Sequence, residues 1–454
     1  MKKRLWWRWV AKLGLGLSCL GIGLFFLPAA GPSRAAAANP LLTALQQAVA
    51  GYKDSVYTIT LQNRIGKQAR PAETIQVKSA KGGAVYLKWT GGPHQGREAL
   101  YKPGWNNNLV WVKDGGVLSF SAASLSPDDP LVKRDYLRTL QFLSLDKLAE
   151  AVLSWQNDHQ IAAADAPRTL VMTGPADKAI IAFAANGLPQ SIEVTDAAGL
   201  REKYQLTDLR LNAGLTARDF DPANPAYGFP GYSPAGIFID PERMNTALTQ
   251  SWAKIKDYSC VLIKQERIKG KLQEKNTSLL KFRKPGDIYM KWIKEPHLGR
   301  ELIYRLGKDE KLLVHEGGLL SVATVSLSLD SSLLRADTNH KLTELDIGNT
   351  LKMIYDNLYR GLKANEVTLQ FKGGSDLGGR LVYTVESRFA NAAARRYYSP
   401  RTVISHDVIT GMPLKVVNYD AAGQLNEDFE WSQIRFNTGL TDRDFDPKNK
   451  DYKF

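Results

Sequence analysis

This sequence has too little cysteine to build a disulfide framework. The chain has 2 cysteines among 454 residues, Cys19 and Cys260, and Cys19 lies in a segment that we predict to be removed. Exported domains often depend on disulfides, but one remaining cysteine cannot form a bridge within the chain. Because Cys260 lies in an apolar stretch, we expect a buried and unreactive thiol.

Sequence motifs of common enzymes and nucleic-acid-binding proteins are also absent. No Gly-x-Ser-x-Gly, His-Glu-x-x-His or glycine-rich phosphate loop occurs. The 6 histidines show no metal-ligand spacing, so we expect no metal and no other cofactor. No stripe of Lys and Arg with interleaved aromatic residues, which would bind single-stranded nucleic acid, is present. We therefore predict a protein that has no catalytic residues, is not an enzyme and does not bind nucleic acid.

Long apolar runs are confined to the start of the chain. Basic residues within residues 2–12 precede an uncharged apolar run over residues 13–27, and Ala36-Ala37-Ala38 follows. This order predicts a cleavable signal peptide over residues 1–38. The run is shorter than the roughly 20 residues that a membrane-spanning helix needs, so an uncleaved inner-membrane anchor is the less favoured alternative. We predict that the protein is in the periplasm.

The basic excess is modest once the predicted signal peptide is removed. The chain has 60 Lys and Arg against 46 Asp and Glu, and 6 of those bases fall in residues 1–38. The remaining 54 bases face 46 acids, which gives a net charge of +8. A scattered excess of this size favours anionic surfaces such as phospholipid headgroups, although an ordinary solvated surface explains it equally well. Membrane surfaces and envelope proteins are the partners that this charge allows.

The chain does contain a long internal duplication. The segments Gly214–Pro222, Tyr86–Trp89 and Pro93–Glu98 recur, with small changes, as Gly439–Pro447, Tyr289–Trp292 and Pro296–Glu301. Repeats this far apart indicate two copies of one domain, because solenoid repeats have periods of only about 20–50 residues. We predict a first, diverged copy over residues 39–229, a Pro- and Gly-rich linker over 230–239, and a second copy over 240–454.

The hydrophobic period changes in the same order in both copies. Met244, Leu248, Trp252 and Ile255 share one face of a helix. Apolar positions then alternate, as strands do, at 85–89 and 288–292, and 117–120 is also predicted to be a strand. A second helical stretch and further strands follow, and the second copy has about 22 extra residues, which we assign to longer strands or a loop within 371–400. A long antiparallel sheet must bury one face, so we predict an α+β fold in which each copy is a curved sheet, a half-barrel, wrapped around helices.

Two repeated motifs could carry chemistry, but each also has a structural interpretation. His94 and His297 lie between proline and glycine, so a turn between two strands explains them better than catalysis does. Asp219–Asn224 and Asp444–Asn449 bring oxygen atoms together, yet they lack the rest of a calcium-binding loop. We therefore expect aspartate-capped turns with Phe220 and Phe445 in the core.

The second copy resembles the bacterial domain-of-unknown-function 1571 family. The resemblance covers most of residues 243–454 and depends on a string of motifs: Tyr258, Lys264-Gln265-Glu266-Arg267-Ile268-x-Gly270, Phe282-Arg283-Lys284-Pro285, Ile288-Tyr289-Met290-Lys291-Trp292 and Gly299-Arg300-Glu301. The first copy keeps part of them but has Asn63 where the second has Glu266. That family is similar in fold to the lipoprotein carriers of the LolA, LolB and RseB types, which implies tandem LolA-like half-barrels.

The resemblance and the export signal together favour a non-enzymatic envelope protein that binds or carries a lipid, a lipoprotein acyl chain or another amphiphile. Trp89 and Trp292 could equally belong to a sealed core, in which case the protein would be a structural or sensory interaction module with a filled interior. A hydrolase that uses His94 or His297 is a remote alternative. For the lipid carrier, the expected cavity walls are Val85, Leu87, Trp89, Ile288, Met290 and Trp292, and the expected rim is Lys88, Arg97, Lys291 and Arg300.

Overall fold

The computed structural model describes residues 39–234, 236–318, 323–335 and 338–454. The predicted signal peptide, residues 1–38, lies outside the described residues. In the part of the chain that is described, no helix is both long enough and apolar enough to cross a membrane.

The first copy is built on a wide antiparallel sheet with three helices. The helices are α1 (Pro40–Ala50), α2 (Pro130–Lys133) and α3 (Leu145–Ser154). The strands are β1 (Asp54–Ile65), β2 (Gln68–Ala69), β3 (Glu73–Ala80), β4 (Ala84–Gly91), β5 (Glu98–Tyr101), β6 (Val110–Lys113), β7 (Ser121–Leu125), β8 (Gln160–Ala163), β9 (Thr169–Thr173), β10 (Asp177–Phe183), β11 (Pro189–Asp196), β12 (Gly199–Leu211) and β13 (Ile237–Ile239). They pair in the order β13-β7-β6-β5-β4-β3-β1-β12-β11-β10-β9-β8, with β2 beside β1.

The second copy repeats this plan. Its helices are α4 (Pro241–Lys254), α5 (Ser332–Arg335), α6 (Ile347–Lys363) and α7 (Ala392–Arg395). Its strands are β14 (Asp257–Ile268), β15 (Lys271–Leu272), β16 (Asn276–Arg283), β17 (Asp287–Trp292), β18 (Glu301–Tyr304), β19 (Leu312–His315), β20 (Thr324–Leu327), β21 (Val367–Leu377), β22 (Arg380–Phe389), β23 (Arg401–Asp407), β24 (Pro413–Tyr419) and β25 (Leu425–Phe436). They pair in the order β20-β19-β18-β17-β16-β14-β25-β24-β23-β22-β21, with β15 beside β14.

The two main helices of the second copy begin at aspartate caps. Asp240 accepts hydrogen bonds from the backbone N–H groups of Glu242 and Arg243, and Pro241 occupies the first helical position of α4. Asp346 accepts from Gly348 and Asn349 at the start of α6. Such caps satisfy backbone donors that a helix start leaves free. The caps fix where each helix meets the sheet.

Each sheet is open and curves around its own helices. In the first copy, Leu45 of α1 and Leu148 of α3 belong to the same core cluster as Leu87 of β4 and Leu170 of β9. In the sheet, β4 and β9 are separated by β3, β1, β12, β11 and β10. A sheet this wide reaches one pair of helices only if it bends. The predicted α+β fold with two half-barrels is confirmed.

Both copies close their outer face with the strap that follows the last long strand. Phe220 and Phe445 are buried, as predicted. Tyr227 stacks on Tyr86 with ring centroids 3.7 Å apart, and Tyr452 stacks on Tyr289 at 3.9 Å. The Asp-Phe-Asp-Pro segments are therefore turns that anchor aromatic side chains against the sheet.

The segment between the copies joins both of them. Residues 237–239 of the predicted linker form β13, which pairs with β7 of the first sheet. Conversely, Leu118 and Phe120 of the first copy belong to the core cluster of the second copy. The exact domain boundaries stay a prediction, but residues 237–239 of the connection belong to the first sheet.

Two local expectations had different outcomes. The strand predicted over 117–120 is wrong, because Gly116 adopts a positive φ of 62° and starts a 3-10 turn over Gly116–Phe120. The extra residues of the second copy do lengthen strands. β21 and β22 have 11 and 10 residues, whereas β8 and β9 have 4 and 5.

Candidate functional site

The expected wall residues all lie on the face of the sheet that packs against helices. Val85, Leu87 and Trp89 belong to the core cluster of the first copy. Ile288, Met290 and Trp292 belong to that of the second copy. All six are 7% exposed or less. The strand alternation therefore predicts which face of the sheet these side chains lie on. The side chains that pack against each tryptophan determine whether space for a ligand remains beside it.

In the first copy, a tyrosine covers the tryptophan. The indole N–H of Trp89 lies 2.9 Å from a carboxylate oxygen of Glu73 and 2.9 Å from the phenol oxygen of Tyr136. The Tyr136 hydroxyl in turn donates to the same carboxylate. Tyr136 is only 4% exposed, so this side chain seals the space between the sheet and the helical segment.

His94 extends this sealed network. Its Nδ1 pairs with Glu73, and its Nε2 lies 3.4 Å from Asp135. Burial lowers the pKa of His94, but hydrogen bonds to Asp135 and Glu73 outweigh burial and raise the pKa above its usual value. An imidazole held between two carboxylates is stabilised as a cation, which suits a structural role in the turn between β4 and β5.

In the second copy, the described residues at the same positions make no hydrogen bond to the tryptophan. Asn276 stands in the place of Glu73, and Thr338 stands in the place of Tyr136. The Trp292 Nε1 has no hydrogen-bond partner in the described part of the chain, although it is buried. A buried donor without a partner costs about 1–3 kcal/mol. The shorter threonine side chain therefore leaves both a polar atom and a space unfilled.

That space is a mainly apolar cavity of about 210 Å³. Trp292, Met290 and Thr338 line it, together with Leu302, Val314, Leu327 and Leu345. Val325 and Leu333 also line it, and their exposed fractions are 42% and 71%. Exposed apolar side chains at a cavity wall are typical of a mouth through which an apolar ligand passes.

The four expected rim residues fall into two groups. Lys88 and Lys291 alternate with the core positions and so lie on the opposite face of the sheet, where Lys291 Nζ is 2.9 Å from Glu301. Arg97 and Arg300 both lie over the tryptophan of their own copy at 5.7 Å. Arg97 pairs with Asp114 and Arg300 with Glu316. Only Arg300 lines the cavity of the second copy.

A wider groove of about 680 Å³ lies where the two copies meet. The first copy contributes Arg70, Arg97 and Arg134, and the second contributes Val408 and Ile409. Ile409 is 67% exposed. Glu73, His94 and Tyr136 also line this groove, so the network around Trp89 forms part of its wall.

Sequence analysis did not single out Tyr136 or Thr338. The available signal was the duplication itself, because aligning the copies through Leu140 and Leu342 places Tyr136 opposite Thr338. The change from a large aromatic residue to a small one at a core position is the kind of difference that opens a cavity.

The fold and site define a class: a protein of two half-barrels that differ in what packs against the equivalent tryptophan of each copy. The sequence profile described as "Protein of unknown function (DUF1571)" matches residues 52–173, 155–229 and 255–454. The chain belongs to this family, as its motifs predicted, and carries it in tandem. A search of the curated proteins finds no match.

Three solved structures illustrate what this chain is similar to. A LolA superfamily protein from Nitrosomonas europaea is 9% identical, with 44% of this chain and 96% of that chain covered and a TM-score of 0.22. The lipoprotein LppX from Mycobacterium tuberculosis is 7% identical, with coverages of 42% and 92% and a TM-score of 0.26. The MucA/MucB complex from Pseudomonas aeruginosa is 11% identical, with coverages of 61% and 86% and a TM-score of 0.23. We draw no functional conclusion from similarity at this level.

Proposed function

We propose that the second copy binds a hydrocarbon chain of a lipid, a lipoprotein or another amphiphile in the cavity beneath Trp292. The observation that carries this proposal is the difference between the copies. Tyr136 packs beside Trp89 and accepts a hydrogen bond from its indole N–H, whereas the Trp292 indole nitrogen has no hydrogen-bond partner among the residues that the structure describes. The residue of the second copy that corresponds to Tyr136 is Thr338, and its smaller side chain lines the cavity.

The size of the cavity limits the ligand. Pockets for whole drug-sized ligands occupy about 300–1,000 Å³, so a cavity of about 210 Å³ suits part of one acyl chain. Each buried methylene contributes about 0.8 kcal/mol. About eight methylenes would therefore supply about 6 kcal/mol before the entropic cost of association. A deeper apolar cavity of about 50 Å³, lined by Leu351 and Ile354 of α6, lies in the same copy.

The polar lining suits an anionic or zwitterionic headgroup. Arg300 and Lys341 both line the cavity. Arg300 Nε is 2.9 Å from Glu316, and Lys341 Nζ is 3.0 Å from Asp330. These ion pairs keep the two cations at the cavity lining, where an anionic headgroup would meet them. The unpartnered indole N–H of Trp292 would donate to an ester or carboxyl oxygen that enters the cavity.

The proposed setting is the bacterial envelope. Residues 1–38 favour export, and the modest positive charge suits work beside anionic lipid surfaces. The proposal includes no catalytic step. His94 is held between Glu73 and Asp135, so its role in the proposal is to support the seal of the first copy.

Displacement of a fluorescent fatty acid from the delipidated chain tests this proposal. The wild-type protein should bind one probe molecule per chain. The variant Thr338→Tyr, alone or with Asn276→Glu, rebuilds the seal of the first copy and should reduce probe affinity at least tenfold. Thr249→Tyr, which adds the same side chain on an exposed part of α4, should leave affinity unchanged. Failure of wild type to bind, or binding that survives the rebuilt seal, would refute the proposal.

A second candidate is a protein-interaction module, and the groove between the copies favours it. That groove combines Arg70 and Arg134 with the exposed apolar side chain of Ile409. In a strain that lacks the gene, loss of complementation by Ile409→Asp but not by Thr338→Tyr would favour interaction over lipid binding. The opposite result would favour the cavity.

A further inference from the structure

The structure assigns a divalent-cation site to Glu266, His340 and Glu427 of the second copy, with Zn²⁺ as the best-matched ion. One ligand atom from each of these residues lies within 4.8 Å of the other two. His340 Nε2 is 3.2 Å from Glu427 Oε1. Ligand atoms around tetrahedral zinc lie about 3.3 Å apart, given bonds of about 2.0 Å. One pair therefore already has the required spacing, and the third carboxylate needs a small rotation.

Burial makes this arrangement unusual. Glu266 and Glu427 are each 2% exposed and face each other directly across the pairing of β14 with β25. Like charges opposite each other on a sheet are destabilising, and buried carboxylates require a cation or several donors. Lys264 Nζ, 2.9 Å from Glu266, supplies one positive charge. The backbone N–H of Asn339 donates to the other oxygen of Glu266 at 2.8 Å, so one lysine stands beside two buried carboxylates.

The first copy shows how the fold balances this position without a metal. Its cross-strand pair is Asn63 with Glu202, so one carboxylate has been replaced by an amide. Arg138, which aligns with His340, donates to both oxygens of Glu202 at 2.6 and 3.1 Å. One negative and one positive charge cancel there. The second copy instead combines two carboxylates with an imidazole, which is a ligand set for a divalent ion.

The surroundings of the three residues match those of a metal centre. The Tyr398 hydroxyl lies 2.7 Å from Glu427 Oε1 and 3.1 Å from His340 Nε2, and Asn418 donates to Glu427 at 3.0 Å. The second ring nitrogen of His340 lies 3.7 Å from Glu344. Metal-bound carboxylates and histidines are commonly held in this way by outer partners.

A small cavity beside the cluster gives an independent indication of a ligand. Its volume is about 20 Å³, and His340, Glu427 and Trp431 line it. One water needs about 10–15 Å³, so the cavity can hold a water or hydroxide as a further ligand. Trp431 is 1% exposed, and its indole nitrogen has no partner within the described ranges. The first copy has Leu206 at this position.

Metal titration of the full chain tests the site without any need to know its lipid. Chelator-treated protein should bind one Zn²⁺ per chain in a calorimetric titration, and X-ray absorption at the zinc edge should show mixed nitrogen and oxygen ligands. His340→Arg and Glu266→Asn introduce the residues of the first copy and should each abolish saturable binding. Tyr398→Phe removes an outer partner and should weaken binding about 10–100-fold.

The matched control is His159→Asn. His159 also has carboxylates beside both ring nitrogens, Asp158 at 2.6 Å and Asp177 at 3.0 Å, but on opposite sides of the ring, where they cannot share an ion with it. Zinc binding should be unaffected by this change. No saturable binding by wild type, or equal binding by wild type, His340→Arg and Glu266→Asn, overturns the assignment. Because fatty-acid displacement is measured without zinc, the cavity proposal and the metal site fail or succeed separately.

Discussion

The phenol oxygen of Tyr136 lies 2.9 Å from the indole nitrogen of Trp89. This contact connects the helical side of the first half-barrel to its sheet, and Glu73 accepts from both side chains. In the second half-barrel the equivalent tryptophan, Trp292, has Thr338 opposite it and an empty space between them. The changes from Tyr136 to Thr338 and from Glu73 to Asn276 therefore accompany the difference in packing at the two tryptophans.

Removing only the hydroxyl of Tyr136 should destabilise the first copy. Tyr136→Phe keeps the ring that fills the space but leaves Glu73 and Trp89 with fewer hydrogen bonds. We expect a loss of about 1–3 kcal/mol in the free energy of unfolding, measured by urea denaturation. Tyr232→Phe alters a tyrosine that is 37% exposed and should change stability by less than about 0.5 kcal/mol. Equal effects of the two changes would contradict the sealing role of Tyr136.

The network around His94 predicts a particular pH dependence. Burial raises the pKa values of Glu73 and Asp135, but hydrogen bonding to His94 outweighs burial and lowers both, while the pKa of His94 is raised. The stabilisation is thus complete between about pH 4.3 and pH 6.5, the ordinary values for Glu and His. It disappears as pH rises through the folded-state pKa of His94, and as pH falls through those of the carboxylates.

The measurement is the stability difference between wild type and His94→Gln at a series of pH values. Taking the difference removes the contributions of the other histidines. The difference should be largest near pH 5–6, within the window set by those ordinary pKa values, and should shrink towards pH 9. A difference that is constant over this range would show that His94 is not held as a cation.

The strap of the second copy should contribute strongly to stability through Phe445. This side chain is completely buried, and Arg283 lies over its ring at 4.9 Å. Phe445→Ala should cost about 3–5 kcal/mol, as is usual for a buried phenylalanine, in chemical denaturation. Lys450→Ala changes an exposed residue of the same strap and provides the control. If both variants unfold like wild type, the strap is not part of the folded core.

The two copies should unfold together. Phe120 belongs to the first copy by sequence, but it is 1% exposed within the core cluster of the second copy. Phe120→Ala should lower stability by about 3–5 kcal/mol and leave a single transition. Tryptophan fluorescence and far-ultraviolet circular dichroism should report coincident midpoints. Two separated transitions would show that the copies are independent.

Much of the fold could be predicted from local pattern. The alternation at Val85, Leu87 and Trp89 identified the buried face of β4, because side chains alternate across a strand whatever its neighbours are. The strand expected at 117–120 does not form, because the positive φ of Gly116 changes the direction of the chain. Gly115 is required for a different reason: a Cβ there would overlap the backbone oxygen of Gln95, so two turns pack together at that point.

The site was harder to predict than the fold, because its contacts join distant residues. Trp89 and Tyr136 are 47 positions apart, and His340 and Glu427 are 87 apart. Neither spacing follows a motif, since both depend on how a helical segment crosses the sheet. The only local signals were differences between the copies, Asn63 against Glu266 among them, and their meaning emerged once the strands were paired.

The pairing of β13 with β7 has a practical consequence for any attempt to study one copy alone. Cutting the chain in the Pro- and Gly-rich segment would remove the edge strand β13 from the fragment that contains the first copy. In the fragment that contains the second copy, it would expose the apolar surface that Phe120 normally covers. A shortened protein that keeps only one cavity must therefore include residues from the other side of the apparent domain boundary. Each half of the duplicated chain therefore depends on residues that belong, by sequence, to the other half or to the connection between them.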